Sequence, residues 1–366
     1  MKKTYQIKRF PSSDNKSLKA WSAADELLLH HVSTIISDDD PVAVMNDRFG
    51  YLSVHLSKYY PKIICNYRSQ EDAIVQNFSF NELSIGENQI LRLTDDVHSK
   101  CKIVLIKTPK SLDLFHFFLI KAHQLSNEES VTLCGFMTRH FTPQLLSLAS
   151  KYFEEVDQSK AVKKSRVLIL KKPKKVENPI VPIHQISFEN HRSIKSIYQQ
   201  YYGVFSSRHI DYATQFLLEN LELKETYRKI LDLASGNGVI AHQIRMIHKE
   251  AEIHLMDDSY LALASSKLNL PDQNTFFHYN YTLKDFEKAF FDLIVCNPPF
   301  HFEYENTIEI SLDLFKGVKK ILKPEGLFIL VANRHLNYKT HLSKIFNMVA
   351  TLNQNSKFEV LQCSDR

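Results

Sequence analysis

The chain has 366 residues, of which 44% are hydrophobic and 24% are charged. This length exceeds that of most single-core domains and the composition excludes an intrinsically disordered protein, so we expect two folded domains. A formal net charge of +5 is too small to require a polyanionic partner, but it allows a local basic face.

The cysteines and the apolar segments indicate the cellular environment. The five cysteines are scattered without a CxxC pair or a close histidine, which disfavours a disulfide framework and a metal site. The amino-terminal residues lack the apolar segment of a signal peptide, and no apolar run approaches the roughly 18 residues of a membrane span. We therefore expect a cytoplasmic protein that binds no metal and no membrane.

Three segments of the first half of the chain recur in the second half. They are 41–50, 101–109 and 138–140, which align with 229–238, 291–299 and 333–335. Because the order is kept and the offset is nearly constant, we predict that one fold is duplicated. The two copies differ at polar and glycine positions, with Val44, Arg48 and Lys107 in the first copy where the second has Asp232, Gly236 and Asn297. The first copy is therefore expected to do no chemistry and to serve substrate recognition or stability.

A lysine- and proline-rich segment, 171–182, separates the two copies. Its three prolines among charged residues disfavour both a helix and a central strand. We predict a linker there, with one domain at 1–183 and the other at 184–366. Eight basic residues lie between positions 160 and 175, and they form either a solvated linker and strand end or an edge that contacts phosphate groups.

In the second half, apolar runs of strand length alternate with helical patterns. The predicted elements in chain order are a strand at 229–233, a helix at 239–248, a strand at 252–256, a helix at 262–268, a strand at 291–296, a helix at 308–322 and a strand at 326–331. Such alternation predicts an α/β fold with a parallel, doubly wound sheet, in which ligands bind at the carboxyl ends of the strands.

The turn after the first of these strands has the pattern of a ligand-binding loop. Asp232 closes the strand, and an acid there suits the amino-acid end of a ligand better than a pyrophosphate, whose charge it would repel. At Gly236 and Gly238, bare backbone allows close approach of a ligand. Ala234 occupies the place of the usual first glycine. Its methyl group narrows the approach, although a small residue is tolerated where the backbone dihedrals are ordinary.

Polar residues end the next two strands. Asp257 is placed to accept hydrogen bonds from ribose hydroxyls, and the alternative is a helix N-cap, because Asp258 and Ser259 precede a helical pattern. Asn280 lies in the segment 276–281, which is expected to end the strand after 252–256, and its side chain is placed there to meet an adenine edge. With Asp232, these residues predict S-adenosylmethionine as the cofactor.

The tetrapeptide Asn297-Pro298-Pro299-Phe300 follows the strand 291–296. The exocyclic amino group of a nucleobase is a poor nucleophile because its lone pair is delocalised into the ring. The Asn297 side-chain oxygen and the Pro298 carbonyl are the predicted acceptors for its two hydrogens, which aims the lone pair at a sulfonium methyl group. Pro299 stiffens the loop and Phe300 supplies a ring on which the base stacks. The alternative is an ordinary loop with Phe300 in the core.

Three further positions complete the predicted pocket. His301 either contacts the base or shapes the loop. The segment 203–211 is expected to fold over the cofactor with Phe205 against it, unless Phe205 belongs to the core. Arg334 meets either an RNA phosphate or a neighbouring carboxylate, and its counterpart Arg139 in the first copy favours a structural role.

These motifs resemble those of the bacterial ribosomal RNA guanine-N2 methyltransferases. The resemblance spans the chain, from Arg9-Phe10-Pro11 and Asn46-Asp47 through 236–240 to 297–301 and 331–335. It implies two tandem Rossmann-like methyltransferase domains, the first degenerate and the second catalytic, with S-adenosylmethionine as cofactor. The Pro-Pro-Phe-His form points to guanine rather than adenine. The match in the first domain points to the large-subunit members of the family, whose acceptor is 23S ribosomal RNA that is still poor in protein. Ala234 and Ser235 depart from the family's usual Gly-Cys.

Two other functions stay open at this point. One is another amino methyltransferase with the same tetrapeptide, acting on a guanine of 16S ribosomal RNA, on adenine, or on a glutamine side-chain amide. The other is a catalytically inactive RNA-binding assembly factor, which is suggested by Ala234 at the place of the usual glycine.

Overall fold

The computed structural model describes residues 4–10, 18–177, 180–270, 273–298 and 308–365, with the backbone alone over 308–311. The chain divides into two compact units, Met1–Pro182 and Ile183–Arg366. Across the described ranges, no helix has the length and apolar character needed to cross a bilayer. In the same ranges, no group of three or more His, Cys, Asp or Glu side chains is placed to hold a metal ion.

The first unit alternates strands and helices. Its helices are α1 (Ala23–Ser33), α2 (Tyr51–His55), α3 (Arg68–Phe80), α4 (Leu112–Leu125) and α5 (Pro143–Tyr152). Its strands are β1 (Val42–Met45), β2 (Lys62–Cys65), β3 (Ile90–Arg92), β4 (Ile103–Lys107), β5 (Val131–Met137), β6 (Phe153–Gln158) and β7 (Ser165–Pro173). Short 3₁₀ turns occupy Ser57–Tyr59 and Thr138–His140.

The second unit begins with a hairpin and then repeats this alternation. Its helices are α6 (Tyr212–Glu219), α7 (Val239–Ile247), α8 (Tyr260–Asn269), α9 (Ile308–Ile321) and α10 (Tyr338–Leu342), with a 3₁₀ turn at Arg334–Leu336. The hairpin strands are β8 (Ile183–Glu189) and β9 (Lys195–Tyr201). The sheet strands are β10 (Lys229–Leu233), β11 (Glu252–Asp257), β12 (Thr275–Tyr279), β13 (Phe291–Cys296), β14 (Leu322–Asn333), β15 (Met348–Gln354) and β16 (Phe358–Ser364).

The two seven-stranded sheets have the same strand order. It is β3-β2-β1-β4-β5-β7-β6 in the first unit and β12-β11-β10-β13-β14-β16-β15 in the second. The first five strands of each sheet run parallel, whereas β7 and β16 run antiparallel to both of their neighbours. The predicted doubly wound α/β fold is confirmed, but the prediction of a parallel sheet is wrong for one strand in each sheet, β7 and β16, which run opposite to the other six strands.

The register confirms the duplication. Met45 of β1 pairs with Ile106 of β4, and Leu233 of β10 pairs with Cys296 of β13. The next residues along β4 and β13 are Lys107 and Asn297. These two side chains therefore occupy equivalent positions at the carboxyl ends of the two fourth strands.

The turn after the first strand has the same backbone at its two ends in both copies. Asn46 and Ala234 have φ of 61° and 59°, and Gly50 and Gly238 have φ of 81° and 78°. Gly50 and Gly238 are each the N-cap of the following helix. Between these ends the backbone differs, because Gly236 is left-handed with φ of 56° and its counterpart Arg48 is not left-handed.

An apolar layer packs on each face of the second sheet. Leu217 of α6, Ile244 of α7 and Leu263 of α8 belong to the cluster on one face, and Phe315 of α9 and Tyr338 of α10 to the cluster on the other. The central strands β10 and β13 are buried on both faces, which explains why they stand out as continuous apolar runs.

The lysine- and proline-rich segment does not begin as a linker. Lys171, Lys172 and Pro173 are the last residues of β7, which lies between β5 and β6. Proline is tolerated at Pro173 because the strand ends there and the next ladder hydrogen bond is not needed. The linker therefore starts later than the sequence predicts.

The eight basic residues between 160 and 175 do not form one surface. Strand β7 pairs with β5 in antiparallel register, with Ser165 opposite Met137 and Lys171 opposite Val131. The turn 160–164 therefore lies at the carboxyl edge of the first sheet, and residues 171–175 lie at its amino edge. Only the first group shares an edge with Lys107.

Candidate functional site

The predicted site residues of the second unit lie at one edge of its sheet. In the parallel register, Leu233 pairs with both Met256 and Cys296, and Asp257 pairs with Tyr279. The turn after β10, the end of β11, the residue after β12 and the residue after β13 therefore converge at the carboxyl edge. This is the place where open α/β sheets bind their ligands.

The turn after β10 combines three left-handed residues. Ala234, Gly236 and Gly238 have φ of 59°, 56° and 78°. A Cβ added at Gly236 would meet no atom of the described residues within 4 Å, whereas one at Gly238 would lie 3.0 Å from both Ser266 and Leu270. Gly236 thus faces open space at the edge, and Gly238 allows helix α7 to begin close against α8.

Ala234 does not have the ordinary backbone dihedrals that would make it a harmless replacement for glycine. Its φ of 59° lies in the left-handed region, where the Cβ of an L-residue crowds the following carbonyl oxygen. The equivalent Asn46 shows the same conformation with a residue type that tolerates it better. The second unit therefore holds strain in its ligand-binding turn.

We expect Ala234→Gly to raise the free energy of unfolding by about 0.5–1 kcal/mol, because relief of the left-handed strain exceeds the added entropy of the unfolded chain. Urea unfolding of the full chain measures this. Ala262→Gly, inside helix α8, is the matched control and should destabilise. A loss of stability in both variants would contradict the inference that the backbone is strained at Ala234.

Asp257 ties the turn to the second strand. Its Oδ2 accepts the Gly236 N–H at 2.9 Å and its Oδ1 accepts the Ser259 N–H at 2.8 Å. Burial raises the pKa of this carboxyl group to about 6, although the two N–H donors act in the opposite direction. The N-cap of α8 is Ser259, whose hydroxyl accepts the Ala262 N–H, so the alternative that Asp257 is the helix N-cap is wrong.

Asp232 lies beneath the turn and is fully buried. Its Oδ2 accepts the Ala241 N–H in the first turn of α7 at 3.0 Å, and its Oδ1 is buried without a hydrogen-bond partner among the described residues. Burial raises the pKa of this carboxyl group to about 8, with a smaller contribution from Asp257. A cation brought to Oδ1 would favour the ionised form.

Asn280 shapes the turn after β12. Its Oδ1 accepts the N–H groups of Tyr281 and Thr282 at 2.8 and 3.1 Å, and its Nδ2 donates to Asp285 at 2.7 Å. The side-chain amide is therefore engaged within the turn. Its predicted contact with an adenine edge stays a prediction.

Asn297 is held by two acceptors on helix α6 and its cap. Its Nδ2 donates to Thr214 Oγ1 at 2.8 Å and to Asp211 Oδ2 at 3.2 Å. Its Oδ1 is buried and has no hydrogen-bond partner within the ranges that the structure describes. The amide thus presents an acceptor with no competing donor. Sequence reasoning missed Thr214 and gave Asp211 no role, because the contacts span 83 and 86 residues.

The other predicted pocket residues have mixed outcomes. Pro298 is buried next to Asn297. Pro299, Phe300 and His301 lie outside the described residues. Phe205 is 69% exposed, so its placement in the core is wrong, and its carbonyl accepts a hydrogen bond from Gln200. The exposed Arg334 donates to the backbone carbonyl of Asn355 at 3.1 Å.

The second unit's residues fit S-adenosylmethionine. The buried, unpartnered oxygen of Asp232 suits the cationic amino-acid end, and the carboxylate of Asp257 suits ribose hydroxyls. The open side of Gly236 leaves the backbone accessible between them. The turn and the end of β11 therefore offer an acceptor at each end of the ligand and bare backbone in the middle.

Comparison with known proteins gives a consistent result. Residues 1–175 match the RLMG N-terminal domain family and residues 196–362 match the Methyltransferase small domain family. The chain is 31% identical to ribosomal RNA large subunit methyltransferase G of Psychromonas ingrahamii, covering 98% of this chain and 96% of the relative. The enzyme of the same name from Yersinia pestis is 30% identical, with 98% and 91% covered.

A solved structure shares the fold over nearly the whole chain. It is the T. thermophilus 16S rRNA N2 G1207 methyltransferase (RsmC) in complex with AdoMet and guanosine. The TM-score is 0.77 at 19% identity, and the alignment covers 94% of this chain and 92% of the other. At that identity the likeness shows the tandem fold alone.

The sheet order, the acid and glycine turn after β10 and the Asn-Pro after β13 define an S-adenosylmethionine-dependent methyltransferase of the Rossmann-like class. The full-length similarity is more specific. The chain belongs to the ribosomal RNA large subunit methyltransferase G family.

Proposed function

We propose that this protein methylates the exocyclic N2 amino group of a specific guanine in 23S ribosomal RNA, with S-adenosylmethionine as methyl donor. The names and full-length coverage of the relatives support the RNA substrate. The observation that carries the chemistry is the Asn297 side chain, whose Nδ2 is held by two acceptors while Oδ1 stays buried and unpartnered among the described residues.

The Asn297 oxygen and the Pro298 carbonyl accept the two amino hydrogens of the guanine. These hydrogen bonds draw the nitrogen lone pair out of conjugation and orient it, so the gain comes from positioning and electrostatics. When bound, S-adenosylmethionine supplies an electrophilic methyl group on a sulfonium. The nitrogen then carries one proton in excess, which water can remove, and the site needs no general base.

The turn after β10 and the end of β11 hold the cofactor in this proposal. Asp232 takes the amino-acid end through Oδ1, and Asp257 takes the ribose hydroxyls through its remaining lone pairs. The backbone at Ala234, Gly236 and Gly238 borders the ligand, and Asn280 borders the adenine. Phe205, Pro299 and His301 are proposed to contact the base or the cofactor.

The first unit takes part in RNA binding and does no chemistry in this proposal. At the position of Asn297 it has Lys107, whose Nζ lies 2.9 Å from Asp25 Oδ2, and the Asp25 side chain is 1% exposed. An ion pair therefore occupies the position at which the second unit has the proposed acceptor, Asn297. We propose residues 1–183 as the non-catalytic domain and 184–366 as the catalytic one, a boundary one residue after the division between Pro182 and Ile183.

A basic cluster at the carboxyl edge of the first unit is the proposed RNA contact. Its members are Lys110, Arg139, Lys160, Lys163 and Lys164. The backbone carbonyl of Lys164 accepts the Thr138 N–H at 2.8 Å, which brings the turn 160–164 beside Arg139. Burial, Arg139 and Lys110 each lower the pKa of His140, as expected where positive charges lie close together.

We expect Lys160→Gln with Lys164→Gln to weaken binding of 23S ribosomal RNA and to flatten its salt dependence. Lys163 is ion-paired with Glu26, whereas neither Lys160 nor Lys164 has an ion-pair partner in the described part of the chain. For each lysine that neutralises a phosphate group, its removal should reduce the slope of log K against log salt by about 0.7 to 0.9. Filter binding at several salt concentrations measures this slope.

Lys171→Gln with Lys175→Gln provides the matched control, because these lysines lie at or beyond the amino end of β5, at the opposite edge of the same sheet. This pair should leave the slope nearly unchanged. An equal or larger effect of the control pair would move the RNA contact to the amino edge.

The substrate is tested in a strain that lacks the gene. Mass spectrometry of nucleosides from its 23S ribosomal RNA should show the loss of one N2-methylguanosine, and the wild-type gene should restore it. Persistence of every N2-methylguanosine would overturn the proposed substrate. Because ribosomal RNA is the substrate, we also propose a cytoplasmic location, with which the five free cysteines agree.

A further inference from the structure

We infer that Asp211 and Thr214 are positioning residues that fix the orientation of the Asn297 amide, so that its oxygen and not its nitrogen faces the amino group to be methylated. The inference rests on the proposed function for the identity of that amino group. The orientation of the Asn297 amide by Asp211 and Thr214 does not depend on which substrate is bound.

The chemistry of the two partners decides the orientation of the amide. Asp211 Oδ2 accepts from Asn297 Nδ2 at 3.2 Å, and an ionised carboxylate has no hydrogen to donate. A flipped amide would bring Oδ1 against that carboxylate and lose the bond to it. Thr214 Oγ1 accepts the second hydrogen at 2.8 Å and fixes the position of the side chain.

Asp211 is itself fixed by the helix that it caps. Its Oδ2 accepts the N–H groups of Ala213 and Thr214 at 3.0 and 3.3 Å at the start of α6. Helix α6 packs on β14 and β16 of the same sheet that carries Asn297. Thr214 is buried, so bulk water competes little for its hydroxyl. The two acceptors are therefore presented by a rigid first turn.

The first unit supplies an independent observation of the same arrangement. Ser22 is the N-cap of α1 and Asp25 is its third residue, as Asp211 and Thr214 are for α6. Asp25 contacts Lys107, which is equivalent to Asn297. In both units the first turn of the helix before the first strand thus holds the side chain that ends the fourth strand.

The two copies differ in what this contact does. The first unit has a carboxylate and an ammonium, which pair with each other and close the position. The second unit has a hydroxyl and an amide, and among the described residues the amide oxygen has no hydrogen-bond partner. The strand end has Lys107 in the first unit and Asn297 in the second. The helix position that contacts it differs in the matching way, with Asp25 in the first unit and Thr214 in the second.

The test compares Thr214→Val, which keeps the shape and removes the acceptor, with Thr214→Ser, which restores it. We expect Thr214→Val to lower kcat on 23S ribosomal RNA by about tenfold to a hundredfold, since a small misplacement of a positioning group costs that much. The KM for RNA and the Kd for S-adenosylmethionine should change little. Thr214→Ser should recover most of the lost kcat. Thr132→Val, at a buried threonine of β5, is the matched control and should leave kcat unchanged.

A second readout does not depend on activity. In ¹⁵N spectra of the full chain, the Asn297 side-chain amide is assigned by its absence from Asn297→Ala. Thr214→Val should shift this signal and speed its exchange with water, whereas Thr132→Val should not. An unmoved amide signal or an unchanged kcat in Thr214→Val would overturn the inference. If the wild type methylates no ribosomal RNA, the proposed function fails, and the amide signal still decides whether Thr214 and Asp211 orient Asn297.

Discussion

Replacing Asn297 by alanine should lower the rate of methyl transfer by about a hundredfold to a thousandfold, the loss seen when one preorganised hydrogen-bonding group is removed from an active site. In the proposed mechanism the buried Oδ1 is the acceptor that activates the amino group, and alanine offers no replacement. The affinity for S-adenosylmethionine should remain nearly unchanged, because the side-chain hydrogen bonds of Asn297 within the described residues go to Asp211 and Thr214, and none of them goes to the turn after β10. Single-turnover methylation and calorimetric titration measure the two quantities separately.

The matched control is Asn347→Ala, which removes an exposed amide that donates to the carbonyl of Asp365. It should leave both quantities unchanged. Loss of cofactor binding in Asn297→Ala would contradict the assignment of Asn297 to the acceptor half of the site. So would a rate within a fewfold of the wild type.

The second large effect is expected on the cofactor. Asp257→Ala should weaken S-adenosylmethionine binding by about tenfold to a hundredfold, because in the proposed site the ribose hydroxyls lose a carboxylate acceptor, and a hydrogen bond to a charged group is worth about 1.5–3 kcal/mol. The N–H groups of Gly236 and Ser259 also lose their acceptor. That second loss is expected to lower the stability of the turn. Calorimetric titration of the full chain measures the affinity.

Asp258→Ala is the matched control for this change, since it removes a neighbouring carboxylate from the same loop. Its effect on cofactor affinity should be much smaller. A larger loss in Asp258→Ala than in Asp257→Ala would reassign the ribose contact. Saturable binding of S-adenosylmethionine by the wild type would also remove the reason to consider an inactive assembly factor, since that hypothesis rested on Ala234.

The central strands and helices of the second unit could be predicted from sequence because their burial dominates their composition. Strands β10 and β13 are buried on both faces and appear as apolar runs with the bounds that the structure has. The duplication could also be predicted, since Gly50 and Gly238 keep the same left-handed cap. Both signals are local in the chain.

The direction of β16 and the hairpin β8–β9 were not predicted. Every residue of β16 except Gln362 is buried, and nothing in such a run distinguishes a parallel strand from an antiparallel one. Its direction depends on pairs such as Val331 with Val360, which are remote in sequence. The hairpin had a signal in the alternation of Ile186 and Phe188, which are buried between exposed neighbours.

The positions of the site residues in the sheet could be predicted from sequence, but the contacts of their side chains could not. Register placed Asp257 and Asn297 at one edge, yet the partners of Asn297 lie on a helix more than 80 residues away. The strain at Ala234 was also hidden, because alanine carries no sign of a left-handed backbone. The equivalent Asn46 was the available clue, since asparagine is enriched in that conformation.

The central claim is tested most directly by methylation of purified RNA. Protein-free 23S and 16S ribosomal RNA are incubated separately with the full chain and isotopically labelled S-adenosylmethionine, and the RNA is then digested to nucleosides and analysed by mass spectrometry. We predict label in N2-methylguanosine from 23S RNA and none from 16S RNA. Label only in 16S RNA, label in adenosine, or no label in either RNA would contradict the account.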